Sequence, residues 1–75
     1  MKDKIIELLE DIIPDCDVES TSDLIGEGYL TSFSIMQLVV ALSDEFDVEI
    51  TPVDIVPENF KNIDTITALV ERLED

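Results

Sequence analysis

Histidine is missing from this chain of 75 residues, and only one cysteine, two glycines, three prolines and four basic residues are present. Without histidine, and with no basic neighbour in sequence to activate Cys16, nucleophilic catalysis lacks its usual partners. The chain is therefore not expected to be an enzyme. A single cysteine cannot form an internal disulfide framework, so a reducing compartment fits and a cytoplasmic location is expected. Lys2, Lys4, Lys61 and Arg72 are too scattered to make the basic patch that nucleic acid requires. No apolar run is long enough to cross a bilayer, and Glu7 and Glu10 interrupt the apolar residues after the amino terminus. Neither membrane insertion nor a signal peptide is expected. With no low-complexity tract or linker, residues 1–75 read as a single domain, near the lower size at which one core holds a fold without metal or disulfide help.

What the chain has in excess is acid: 19 Asp and Glu against 4 Lys and Arg, a formal net charge of −15. Such a charge keeps a small protein soluble and makes basic protein surfaces its natural partners. Carboxylates are so plentiful that no two stand out as a general acid and base. Asp15, Asp17 and Glu19 alternate as in a calcium-binding helix-loop-helix, but the glycine that loop requires falls on Ser20 and its bidentate glutamate on Gly26. An acidic adaptor module without a prosthetic group is a further alternative that composition alone leaves open.

Along the chain, Ile5, Leu8, Leu9 and Ile12, widened by Ile6 and Ile13, predict a helix from Lys4 to Ile13 that Pro14 ends. Its lysines at the start and acids at the end oppose the helix dipole, so packing must hold it. Pro14 to Thr31 is a long connection, with Leu24, Ile25, Tyr29 and Leu30 expected to pin it to the core and Gly26 and Gly28 expected to let it turn. Ile35, Leu38, Val39, Leu42 and Phe46 mark the buried face of a second, longer helix that runs to Phe46. Either Ser32 or the pair Ser34 and Gln37 would cap its start. Asp47 to Ile50 reads as a connector with Val48 and Ile50 turned inward. Thr51, Pro52 and Asp54 signal a short helix of about one turn, stopped by Pro57. A last helix begins near Asn62 or Asp64 and buries Ile66, Leu69, Val70 and Leu73. The predicted fold is all-α, a small four-helix bundle of three longer helices and one short one.

The start of the second helix is the stretch of most interest, because unpaired amides and the helix dipole favour an anion there. A serine in that position is most often only a cap. The wider run Gly28-Tyr29-Leu30-Thr31-Ser32-Phe33-Ser34-Ile35-Met36-Gln37-Leu38, followed by Asp44-Glu45-Phe46-Asp47-Val48-Glu49-Ile50, resembles the acyl carrier protein family over essentially the whole chain. The resemblance implies a 4'-phosphopantetheine arm on Ser32, whose register Ser34 and Ser43 do not share. One departure is Thr31, where the family usually has Asp.

The resemblance further implies a carrier that holds acyl or aminoacyl intermediates as thioesters on the arm. Its partners would be a phosphopantetheinyl transferase, an acyl- or aminoacyl-loading ligase and downstream enzymes of fatty acid, polyketide or nonribosomal peptide biosynthesis. A monomeric carrier is expected. Stand-alone D-alanyl or peptidyl carriage is an alternative, and Gly28-Tyr29-Leu30 and Pro57-Glu58-Asn59-Phe60 look more like carriers of specialised or aminoacyl pathways. In the family the residues one, four and eight after the serine commonly touch partners, which here are Phe33, Met36 and Val40. Acidic residues often stand two and five after it, where this chain has Ser34 and Gln37. Contact near Ser32 is thus expected to be more apolar than charged, with Asp44, Glu45 and Asp47 attracting basic surfaces from further along.

Overall fold

The computed structural model describes residues 1–74, and among them the regular elements are all helical. Three α-helices, α1 (Lys2–Ile12), α2 (Ser32–Phe46) and α3 (Ile63–Glu74), enclose one core. The expected short fourth helix is instead two separate 3-10 turns, Pro52–Asp54 and Pro57–Phe60. Thr51 does open the first turn: its N–H donates to Asp54 Oδ2 at 3.2 Å and its hydroxyl to the same oxygen at 3.1 Å. Pro57 then offers no N–H, so the chain bonds i to i+3, with Ile55 N–H donating to the Pro52 carbonyl at 3.2 Å, and breaks before it can make an α-turn.

α1 begins two residues earlier than predicted because the amides of Lys4 and Ile5 both donate to the Met1 carbonyl, at 3.1 and 3.2 Å. Ile5 and Leu9 are fully buried, and the rest of the apolar stripe is half-buried against the core. The unfavourable lysines are partly answered: Lys2 Nζ lies 2.6 Å from Asp64 Oδ1 in the first turn of α3, and Lys4 Nζ 3.4 Å from Glu7. The hydrogen bond that Lys2 donates to the Asp64 carboxylate, and then the charge of that carboxylate, hold the Lys2 ammonium above its ordinary pKa. Asn62 caps α3 reciprocally, its Oδ1 accepting from Thr65 N–H at 2.9 Å while Thr65 Oγ1 accepts from Asn62 N–H at 3.1 Å. Ile63, Ile66, Leu69 and Val70 form its buried face, with Leu73 packed at the edge.

The long connection is an ordered layer. Cys16, Val18, Leu24 and Leu30 are buried, while Ile25 is half-buried and Tyr29 turns outward, contrary to expectation. Tyr29 stands between Gly28, at φ +84°, and the anchored Leu30, and its amide and that of Leu30 both donate to the Leu24 carbonyl at 2.9 and 3.0 Å. With that turn closed only Leu30 can face inward. Leu24 N–H donates to the Lys61 carbonyl at 2.6 Å, which ties the connection to the start of α3. At Gly26 a Cβ would meet the Asp23 carboxylate that accepts its N–H, so a side chain there would have to displace that carboxylate and break the bond. These ties fix where the chain delivers Thr31 and Ser32.

Candidate functional site at the start of α2

Thr31 is the N-cap of α2, in extended backbone (φ −105°, ψ 175°), and its hydroxyl oxygen accepts from Ser34 N–H at 3.3 Å. The cap expected from the sequence is Ser32, or Ser34 with Gln37; in the structure it is Thr31, one residue upstream of Ser32. Ser32 is the first helical residue, exposed, with its hydroxyl released from capping. Of the amides that a helix start leaves without intrahelical partners, that of Ser34 is taken by Thr31, which leaves those of Ser32 and Phe33 for an anion. No acidic residue lies in the first turn. From Gly28 to Ser43, indeed, no residue carries a charge, in a chain where 19 residues are acidic.

Beside Ser32 opens a cleft of about 490 Å³, floored by Leu30, Ile35, Met36, Ile55, Val56 and Pro57 with Thr31 and Ser32 at its rim. Ile55 and Val56 link the two 3-10 turns: Val56 N–H donates to the Asp54 carbonyl at 3.0 Å, a tight turn centred on Ile55, and Val56 itself is extended (φ −125°, ψ 152°) before Pro57. Sequence reasoning missed these two residues, since no local pattern ties Ile55 and Val56 to the start of α2.

α2 turns Leu38, Val39 and Leu42 fully into the core, with Ile35 and Phe46 at its margin. Away from the core Phe33 is 73% and Val40 59% exposed, while Met36, 52% exposed, also lines the cleft. Asp44, Glu45 and Asp47 are exposed at the far end of the helix. Asp47 closes α2 in the left-handed region at φ 52° and ψ 50°. Near the connection, Cys16 is buried with Sγ 3.5 Å from Thr21 Oγ1. Asp15, Asp17 and Glu19 do not converge: among the described residues no group of three or more His, Cys, Asp or Glu could hold a metal ion. No helix among the described residues is long and apolar enough to cross a membrane.

A small helical domain that offers a free serine hydroxyl at a helix start, beside an apolar cleft and away from its own charges, has the form of a prosthetic-group carrier. Residues 3–73 match the family described as the phosphopantetheine attachment site, so this chain belongs to the acyl carrier protein family, whose domains take covalently bound 4'-phosphopantetheine. The chain is 31% identical over 74 residues to aminoacyl carrier protein 1 of Bradyrhizobium diazoefficiens, the match covering 93% of this chain and 81% of that one. Members of this family are carriers rather than catalysts, and they work with a phosphopantetheinyl transferase and with biosynthetic enzymes.

Proposed function

We propose that Ser32 carries the arm and that residues 1–75 act as one non-catalytic carrier domain, working in the cytoplasm, for aminoacyl groups. The observation that carries this reading is the Thr31 cap, which satisfies the helix start and leaves the Ser32 hydroxyl exposed beside two free amides. Those amides and the dipole of α2 favour the phosphate ester, an interaction of about 0.3–1 kcal/mol at an exposed helix end. The cleft floored by Leu30, Ile35 and Val56 offers the adjoining part of the arm apolar contact. The arm supplies a thiol that holds its cargo as a thioester. The chain's own task is to anchor a flexible tether on a rigid helix end and so raise the cargo's effective concentration near each enzyme.

The preference for aminoacyl over fatty acyl cargo is supported by the similarity to the aminoacyl carrier protein of Bradyrhizobium and by the segments Gly28-Tyr29-Leu30 and Pro57-Glu58-Asn59-Phe60. A loading ligase that activates an amino acid would then be the second partner after the transferase, with the enzymes that receive the aminoacyl group following. Incubation with coenzyme A and a phosphopantetheinyl transferase should raise the mass of the chain by one pantetheine phosphate, and Ser32→Ala should abolish the gain while leaving the circular dichroism unchanged. A gain that persists in Ser32→Ala would move the site elsewhere.

A further inference from the structure

The two sides of the cleft beside Ser32 are held in different ways. Leu30 is buried and Ile35 packs against the core, so that side is fixed together with α2. The facing side, Ile55 to Pro57, is the link between the two 3-10 turns. Ile55 is only partly buried against the core, and the first turn buries no residue and leaves Val53 82% exposed. The bonds of Thr51 to Asp54, and of Ile55 N–H to the Pro52 carbonyl, lie within this segment, so they give it a shape but not a place. Among the described residues, the hydrogen bonds that join residues 51–56 to another element both come from Asn59: its N–H donates to the Val56 carbonyl at 3.0 Å and its Nδ2 to the Asp54 carbonyl at 2.8 Å. Asn59 is itself held, because its Oδ1 accepts from Arg72 Nη2 in α3 at 3.2 Å and the adjacent Phe60 is wholly buried.

We infer that Asn59, oriented by Arg72, is the residue that positions the outer side of this cleft against the pantetheine arm. The side chain uses both halves of its amide: the donor half meets a carbonyl and the acceptor half a guanidinium, and the two partners fix which way the amide faces. A carboxylate at this position could take the Arg72 bond but could not donate to the Asp54 carbonyl, and an apolar side chain could do neither. The orientation of Asn59 is therefore set from α3. Through it the Asp54 carbonyl is held, and with that carbonyl the two residues that follow, Ile55 and Val56, which line the cleft. A side that is in place before the arm arrives needs no ordering when the arm lies against it, so the apolar contact is not offset by lost chain freedom. Released from Asn59, the same residues would still be present, but their contact with the arm would have to order them first.

This inference rests on the reading that Ser32 carries the arm, and two variants break the tie at different links. Asn59→Asp keeps the size of the side chain and the bond from Arg72 but removes the donor to Asp54, whereas Arg72→Met keeps an aliphatic stem and frees the Asn59 amide. In the chain without its arm, hydrogen exchange of the Ile55 and Val56 amides should become about fivefold faster in Asn59→Asp, the factor that one hydrogen bond is worth net, while exchange along α1 is unchanged. Arg72→Met should give a smaller change of the same sign. Arg72→Lys, which can still donate a single bond, should exchange as the wild type does. The other readout is the rise in melting midpoint when coenzyme A and a phosphopantetheinyl transferase add the arm. The wild type should gain, and the gain should shrink by about half or more in Asn59→Asp. A residue that served the fold alone would lower the midpoint equally with and without the arm and leave the gain as it was. The inference is overturned by that equal lowering, by a wild type whose midpoint the arm does not raise, or by unchanged exchange at Ile55 and Val56 in Asn59→Asp. Should Asn59→Asp fail to fold, Arg72→Met against Arg72→Lys decides by the same two readouts. Absence of the mass gain in the wild type would strike the carrier reading, and exchange in the arm-free chain tells that failure from a failure of Asn59 to hold the cleft.

Discussion

Replacing Asp47 should make this protein more stable. Asp47 is the only described non-glycine residue at positive φ, and it places a carboxylate at the negative end of the α2 dipole. Two further carboxylates, Asp44 and Glu45, stand in the same last turn with no basic residue among them. Asn tolerates the left-handed conformation as Asp does, so Asp47→Asn isolates the charge, and removing it should contribute about 0.3–1 kcal/mol at low ionic strength. Asp47→Gly also relieves the Cβ contact that disfavours this backbone, worth about 1 kcal/mol before the greater freedom of Gly in the unfolded chain offsets part of it. In a domain of this size each kcal/mol moves the thermal midpoint by about 4–8 °C, so the Asn variant should gain about 1–8 °C and the Gly variant somewhat more. Thermal melts by circular dichroism at two salt concentrations measure this. The Asn gain should shrink with added salt, because it is electrostatic and exposed, and the conformational part of the Gly gain should not. No gain at low salt, or an Asn gain that salt leaves intact, would refute the reasoning.

Three other outcomes follow from the same geometry. Thr31→Ala should cost about 1 kcal/mol by removing the cap and should slow modification of Ser32, while Thr31→Asp should restore stability; urea titration and the rate of mass gain check both, and equal stability of all three chains would deny Thr31 its role. Raising ionic strength should raise the melting midpoint of the wild type, because screening relieves the self-repulsion of a charge of −15, and an unchanged midpoint would count against that term. Phe60→Ala should cost about 3–5 kcal/mol, since Phe60 is wholly buried where the second 3-10 turn meets α3, and in so small a domain that loss should appear as partial unfolding at room temperature.

The register of each long helix was legible in the sequence because an apolar stripe at helical spacing has one way to face a core. Leu38, Val39 and Leu42 are where periodicity puts them. The start of α2 was harder: Thr31, Ser32 and Ser34 all bear hydroxyls suited to capping, and only the extended backbone of Thr31 decides among them. The short helix was misjudged because a cap followed by Pro announces a first turn equally well for an α-helix and for a 3-10 turn, and Pro57 arrives too soon for the difference to show. Tyr29 is expected from the sequence to help pin the connection to the core, whereas the turn closed on the Leu24 carbonyl leaves it exposed. The cleft beside Ser32 could not be read at all, because it joins Leu30 and Ile35 to Ile55 and Val56, which no local pattern connects.

The replacement of the usual Asp by Thr31 makes sense once the cap and the uncharged stretch are considered together. Either residue can accept the Ser34 amide, so the helix start does not need a carboxylate. With Ser32 as the proposed attachment point, the phosphate ester there would carry negative charge, and a carboxylate about 4 Å from it would cost about 1 kcal/mol of repulsion even in bulk water and more beside a protein surface. Thr31 performs the capping without that repulsion, and the neutral run from Gly28 to Ser43 extends the same relief over the first three turns of α2. On the proposed reading the acids that would attract a basic partner are kept at the far end, at Asp44 and Asp47, where they oppose the helix dipole. Their position is poor for folding and good for recognition. If Asp47→Asn raises the melting midpoint and slows arrival of the transferase in the same protein, both effects trace to one carboxylate, and the stability it forgoes is the cost of steering partners from a distance.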